Sequence, residues 1–317
     1  MNKVLTIVGP TGVGKTELSL QLARRFQGEI VSGDAIQVFR GLDIGSGKVT
    51  AAERAGIAHH HLDILDPKER ISVADFQQSA RRDIDQILSR GHLPMLVGGT
   101  GLYIKAVLYD YTFLPQDPRH QQLTRELEQW PAEQLAERLR QRDPQAASQI
   151  HPHNRRRLIR ALVIAELSSQ SKSELEAQQK HEMVYDAFIL GLTLPREQLR
   201  ERIERRVDAM LANGLQDEVA GLLRQGVTFE DQSMQGIGYK EWRGFFEGQQ
   251  TREQVREQIL IHTRQFARRQ MTWFTHQTPV RWLDVSDAGQ KQQVISEVEN
   301  WLKEESCSKP CGKESIF

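Results

Sequence analysis

Cysteine is scarce here. The 317 residues carry two, Cys307 and Cys311, both in a polar C-terminal stretch, too few and too misplaced for a disulfide framework or a four-ligand zinc site. Long apolar runs are missing as well. No segment approaches the ~20 residues of a membrane span, and no signal-peptide pattern precedes the first apolar run, so no membrane association and a reducing cytoplasm are expected. Net charge is also lacking: 42 Lys and Arg balance 42 Asp and Glu. Any affinity for nucleic acid must therefore come from local basic patches, not from the overall field. There is no internal repeat. What remains is an ordinary globular composition on a chain long enough for one enlarged α/β domain or two coupled lobes.

The most informative stretch is Gly9, Pro10, Thr11, Gly12, Val13, Gly14, Lys15, Thr16, which fits the phosphate-loop pattern GxxxxGK[ST]. It follows directly on the β-branched run Val4–Val8 and precedes a helical pattern through Leu18, Leu20, Leu22 and Ala23. The glycines let the backbone curl so that successive N–H groups face inward, and the helix adds its N-terminal partial charge. Lys15 would reach the outer phosphates, and the Thr16 hydroxyl would coordinate Mg²⁺. A phosphate site of this kind names no reaction.

Further strands are expected at 29–32, 93–97, 185–194 and 280–285, each in an α/β alternation. Ligands of open α/β sheets bind beyond the carboxyl ends of the strands. That rule puts Asp34, after the second strand, and the turn Gly98, Gly99, Thr100, after the third, beside the phosphate loop. Asp34 is a candidate general base, although the same position suits a turn or helix-capping aspartate. His59, His60 and His61 read as a polar loop leading into a strand, since adjacent side chains on extended chain cannot share one ion. A helix is expected from the Ser72 cap to Ser89, with Gly91 ending it. From about Phe113 the alternation stops and a proline-interrupted helical stretch follows. It carries a basic ridge in which Arg156 and Arg157 each share a face with Arg160; this suits a phosphodiester backbone, although taken alone such a ridge reads first as a solvated face paired with acidic neighbours. Gln235–Lys240 reads as a mobile turn.

The ordered set GPTGVGKT, SGDAIQVFRGLDIGSGK, LVGGTGLY, RRRLIRAL, PREQLRERI, QGIGYK and TRQFARRQMTWF resembles the bacterial tRNA dimethylallyltransferase family over nearly the whole chain. The resemblance implies a P-loop NTPase-like, doubly wound parallel sheet built from 1–112 and 183–305, an all-helical insertion lobe at 113–182 that contacts tRNA, and a disordered tail at 306–317. It implies transfer of a dimethylallyl group from dimethylallyl diphosphate to N6 of the adenosine 3′-adjacent to the anticodon, with Mg²⁺ as cofactor, by a monomer. Asp34, Lys15, Thr100 and Arg202 are the implied catalytic residues, and Gly9 through Thr16 with Arg196 the diphosphate contacts. The implied tRNA contacts are Asp34, Ala35, Ile36, Gln37, Thr100, Gln121, Arg156, Arg157, Leu158, Ile159, Arg160, Gln235, Gly236, Ile237, Gly238, Tyr239 and Lys240. A nucleotide or small-molecule kinase, and a non-catalytic RNA-binding module with a vestigial loop, are the competing readings.

Overall fold

The computed structural model describes residues 1–113, 117–168, 173–174 and 182–304; the expected tail, with Cys307 and Cys311, lies outside them. The chain divides into two compact units, Asp110–Glu182 and the remainder, Met1–Tyr109 with the chain from Met183 onward. The larger unit begins β1 (Lys3–Val8), α1 (Lys15–Phe26), β2 (Gly28–Ser32), α2 (Ala51–Arg54), β3 (His59–His60), α3 (Val73–Ser89), β4 (Leu93–Gly98), α4 (Gly101–Leu108). The smaller unit holds α5 (His120–Glu128), α6 (Ala132–Arg142), α7 (Pro144–Gln149) and α8 (Arg155–Leu167). The larger unit resumes with β5 (Asp186–Thr193), α9 (Arg196–Ala212), α10 (Leu215–Arg224), α11 (Arg243–Phe246), α12 (Arg252–Gln277), β6 (Arg281–Asp284) and α13 (Ala288–Lys303).

The strands form one sheet, in the order β3-β2-β4-β1-β5-β6, and every pairing is parallel. This is the α/β architecture read from the sequence. In β1 the side chains divide by the period of two: Val4 and Val8 join one apolar cluster, Leu5 and Ile7 the other, all fully buried. Both faces of the sheet are thus covered, which is why β1 is buried from Val4 to Val8 and apolar there at every position but Thr6. Because all strands run one way, the turns after β1, β2 and β4 emerge on a single edge. Ser72 caps α3 as expected, in a reciprocal box with Asp75.

Three local differences from the sequence reading have physical causes. His59 and His60 form a two-residue edge strand, pairing with Ile30 and Val31 through backbone rather than through side-chain pattern. The His59 ring meets the Ile57 carbonyl, that of His60 lies between Glu29 at 2.8 Å and Asp83 at 3.9 Å, and that of His61 meets Asp83 at 3.2 Å. The smaller unit begins at Asp110 and not at Phe113, although its first helix starts only at His120, because Tyr109 is buried and bridges backbone to backbone with Met183, so the core reaches Tyr109. Gln235–Lys240 is not a loose turn. Met234, Tyr239 and Trp242 are fully buried, and the Tyr239 hydroxyl donates to Glu218 at 2.7 Å. Glycine content suggested mobility, but here it serves close approach: a Cβ on Gly236 would meet Ile36 at 2.9 Å.

Candidate active site

At the end of β1 the chain passes through Gly9, whose φ of 141° and 2.7 Å approach of a notional Cβ to the Leu192 carbonyl admit only glycine. The loop turns under the first turn of α1, where Gly14 sits left-handed in front of Lys15. The Lys15 ammonium donates to the carbonyls of Gly9 and Pro10, each at 2.9 Å. Its pKa is pushed down to about 8, first by burial and then by the Arg206 charge, with Asp34 opposing. The Thr16 side chain stands exposed at the same helix start.

The turns after β2 and β4 are pressed together. Gly33 N–H donates to the Val97 carbonyl at 2.7 Å, Thr100 N–H to the Gly33 carbonyl at 3.4 Å, and a Cβ on Gly98 would meet Gly33 oxygen at 2.4 Å. Asp34 follows at once. Its Oδ1 accepts from the N–H groups of Ile36 at 2.8 Å and Gln37 at 3.3 Å, so it does make the turn that its position suits. That role does not exclude chemistry, for the turn fixes one carboxylate oxygen and aims the other. Asp34, Gln37, Lys15, Thr16, Ser19, Ser32, His59, Gly98 and Gly99 line one cavity, together with the apolar Ile30, Val49, Leu62 and Val97.

From α9, Arg202 donates to the Val13 carbonyl at 3.2 Å, which places it on the phosphate loop. Arg206, one turn on, donates to the Ser46 carbonyl at 3.2 Å, and its pKa is lowered by burial against the favourable charge of Asp34. Arg206 was missed by sequence reasoning, although its i, i+4 relation to Arg202 was available as a signal. Arg196 begins α9 exposed. Ser46 is in turn part of a held loop: Glu218 accepts from the N–H groups of Asp43, Ile44 and Gly45 at 3.0, 2.7 and 3.1 Å, and Tyr239 from that of Ser46 at 3.1 Å. Lys48, buried, donates to Asp43 and Asp63 at 2.6 and 2.5 Å and closes the loop from the other side.

Of the segments expected to touch RNA, Asp34–Gln37 and Gln235–Lys240 abut one another through Ile36 and Gly236. Tyr239 is a correction: its fully buried ring supports this pair of segments rather than offering a contact surface, while Gln235 and Lys240 are exposed. In the helical unit Leu158 and Ile159 are likewise corrected, since they are core residues packed with Leu127, Leu135, Leu139 and Leu162. The surface of α8 consists of Arg156, Arg157 and Arg160, all exposed and, among the described residues, without an acidic partner. Arg155 instead donates to the carbonyls of Glu128 and Trp130 and tethers the end of α5. Gln121 lies exposed on α5.

A phosphate loop, a carboxylate and a glycine turn converging on one edge of a parallel sheet define a phosphate-handling α/β enzyme. Comparison with known proteins gives the particular family. The IPP transferase family model matches residues 37–277. The tRNA dimethylallyltransferase of Anoxybacillus flavithermus is 44% identical over 301 residues, 95% of this chain and 96% of that one, and that of Bacillus subtilis is 46% identical over 290 residues, 89% and 91%. The solved structure of the full-length tRNA isopentenylpyrophosphate transferase of Bacillus halodurans superposes with a TM-score of 0.72 at 40% identity, covering 96% of this chain and 97% of that one. A eukaryotic dimethylallyltransferase solved acting on tRNA gives 0.83 at 27% identity, covering 98% and 81%. The chain belongs to the IPP transferase family, that of the tRNA dimethylallyltransferases, and is a transferase.

Proposed function

We propose that this chain transfers the dimethylallyl group of dimethylallyl diphosphate to N6 of the tRNA adenosine 3′-adjacent to the anticodon, releasing diphosphate. The observation that carries the reading is the single cavity in which the phosphate loop, Asp34 and the turn before Thr100 meet, its polar side fit for a diphosphate and its apolar side for a five-carbon prenyl group. An exocyclic amine is a weak nucleophile. The Asp34 oxygen not held by Ile36 and Gln37 is available to accept the N6 hydrogen, orienting the amine and removing its proton as the N6–carbon bond forms. The carbon–oxygen bond to the diphosphate breaks in the same event. Charge then builds on the departing oxygens, where Lys15, Arg202 and Thr100 supply donors fixed in advance, with Gly9 through Thr16 as the cradle and Arg196 as an outer contact.

The donor set suits Mg²⁺, for the cavity presents hard oxygen ligands, the Thr16 hydroxyl among them, with one imidazole, that of His59, and no thiolate among the described residues. Bound there with diphosphate oxygens, the ion would neutralise leaving-group charge. A stacked base cannot enter such a cavity, so the adenosine is flipped out, at a cost of a few kcal/mol. Asp34–Gln37 and Gln235–Lys240, already packed together, are the RNA-facing segments of the larger unit, and Arg156, Arg157 and Arg160 those of the helical one. The protein acts as a monomer in the cytoplasm.

Incubation with labelled dimethylallyl diphosphate, Mg²⁺ and unmodified tRNA puts label on the RNA. Thermal stabilisation by dimethylallyl diphosphate and not by ATP separates this activity from a kinase, because only a ligand of the native state raises its stability. No transfer at saturating substrates and Mg²⁺ overturns the proposal.

A further inference from the structure

Gln270 lies in the middle of α12, far from the phosphate loop in sequence, and is 5% exposed. Its side-chain amide has both ends engaged on backbone. Oε1 accepts from the Thr11 N–H at 2.9 Å, and Nε2 donates to the Gly99 carbonyl at 2.9 Å. The partners themselves fix the amide's orientation, since an N–H requires oxygen opposite it and a carbonyl requires N–H. One side chain therefore spans the two turns whose convergence makes the cavity, the loop after β1 and the turn after β4. Space is set to match: a Cβ on Gly99 would come within 2.1 Å of Nε2, and the next turn of α12 places Trp273 against Gly101, where a Cβ would meet its ring at 2.3 Å.

We infer that Gln270 is a positioning residue for prenyl transfer: it sets the separation of the phosphate loop from the turn carrying Thr100, so that the diphosphate is gripped from both sides. The inference rests on the reading of this cavity as the diphosphate site. Thr11 N–H is committed to Gln270 and Val13 N–H donates to the Pro10 carbonyl at 3.4 Å, so these two order the loop and the N–H groups from Gly14 to Thr16 are left to face the anion. Without the bridge, a part-buried donor and a buried acceptor lose their partners, and the two turns are free to part. A shift of about 1 Å between reacting groups is enough to cost about 10²-fold in rate.

Two variants test this. Gln270→Met keeps length and apolar packing and removes both hydrogen bonds. Gln270→Glu keeps an acceptor for Thr11 but, when ionised, turns an oxygen towards the Gly99 carbonyl; when protonated, its O–H restores the missing donor. Inorganic diphosphate affinity with Mg²⁺, single-turnover transfer at saturating substrates, and tRNA affinity are measured for each. The expected result for Gln270→Met is about tenfold or greater loss in both diphosphate affinity and transfer rate, with tRNA affinity unchanged. For Gln270→Glu, transfer relative to wild type rises as pH falls from 8 to 6, a signature that a role in stability alone does not produce. Wild-type diphosphate affinity and transfer rate in Gln270→Met, even with a lowered melting temperature, overturn the inference. Should that variant fail to fold, a pH-independent ratio in Gln270→Glu overturns it. Wild type that binds no diphosphate overturns the underlying reading instead.

Discussion

The Lys15 ammonium is held in the cavity against two backbone carbonyls, with no carboxylate bonded to it among the described residues, and its pKa falls from 10.5 to about 8 through burial and the nearby Arg206 charge. The native state thus binds this proton less tightly than the unfolded chain does. Between pH 8 and about 10 the unfolded state holds the proton and the native state does not, so stability rises with pH, by up to about 1.4 kcal/mol per unit. From pH 8 to 9.5 the rise is about 1.5 kcal/mol, and it ends as pH passes the unfolded value. Tyr103 and Tyr185, both pushed up to about 12 chiefly by burial, act in the opposite sense only above pH 10, where the unfolded chain starts to lose tyrosine protons. Urea denaturation of wild type and Lys15→Met at pH 7, 8 and 9.5 isolates the effect: the difference between them widens in favour of wild type by about 1.5 kcal/mol. Diphosphate binding supplies the missing counter-charge, so above pH 8 it takes up one proton and its affinity falls by about tenfold per pH unit in wild type but not in Lys15→Met. A pH-independent difference in stability, or a binding profile unchanged by the substitution, refutes the reasoning.

Other consequences are equally direct. Asp34→Asn keeps an acceptor for the Ile36 and Gln37 N–H groups but no proton acceptor, so single-turnover transfer should fall by about 10² to 10⁴ while filter-binding affinity for tRNA persists; joint loss of both would make the residue structural. Replacing Arg156, Arg157 and Arg160 together by Gln should lower the slope of log affinity against log salt by about 2 to 3 without moving the melting temperature, because these side chains are exposed and lack acidic partners among the described residues. Glu218→Ala strips the acceptor from three backbone N–H groups and from Tyr239, and calorimetry should show a loss of about 2–4 kcal/mol.

How much of this was legible depends on sequence separation. The phosphate loop, Asp34 and Gly98–Thr100 could be read because each follows a strand whose apolar pattern shows, and a parallel sheet delivers such turns to one edge. Gln270 and Glu218 could not, since their partners lie 171 or more and about 175 residues away and nothing local marks them, and Arg206, whose partner lies 160 residues away, is marked only by its i, i+4 relation to Arg202. Gln235–Lys240 misled because glycine serves mobility and tight packing alike; only the buried Tyr239 ring and its bond to Glu218 decide between them. Leu158 and Ile159 entered the RNA surface as part of a continuous run, whereas a helix alternates faces, and these two point inward. His59 and His60 form an edge strand by backbone pairing, which side-chain pattern does not encode.

In the proposed reaction the leaving group in the phosphate loop is the diphosphate of a prenyl donor and the acceptor is one tRNA adenosine. The most direct measurement is mass spectrometry of nuclease-digested tRNA after reaction with dimethylallyl diphosphate and Mg²⁺. The expected product is a single N6-dimethylallyl-adenosine, located 3′-adjacent to the anticodon, with one diphosphate released per modified tRNA. Unmodified tRNA, or a prenyl group on another atom or at another position, contradicts it.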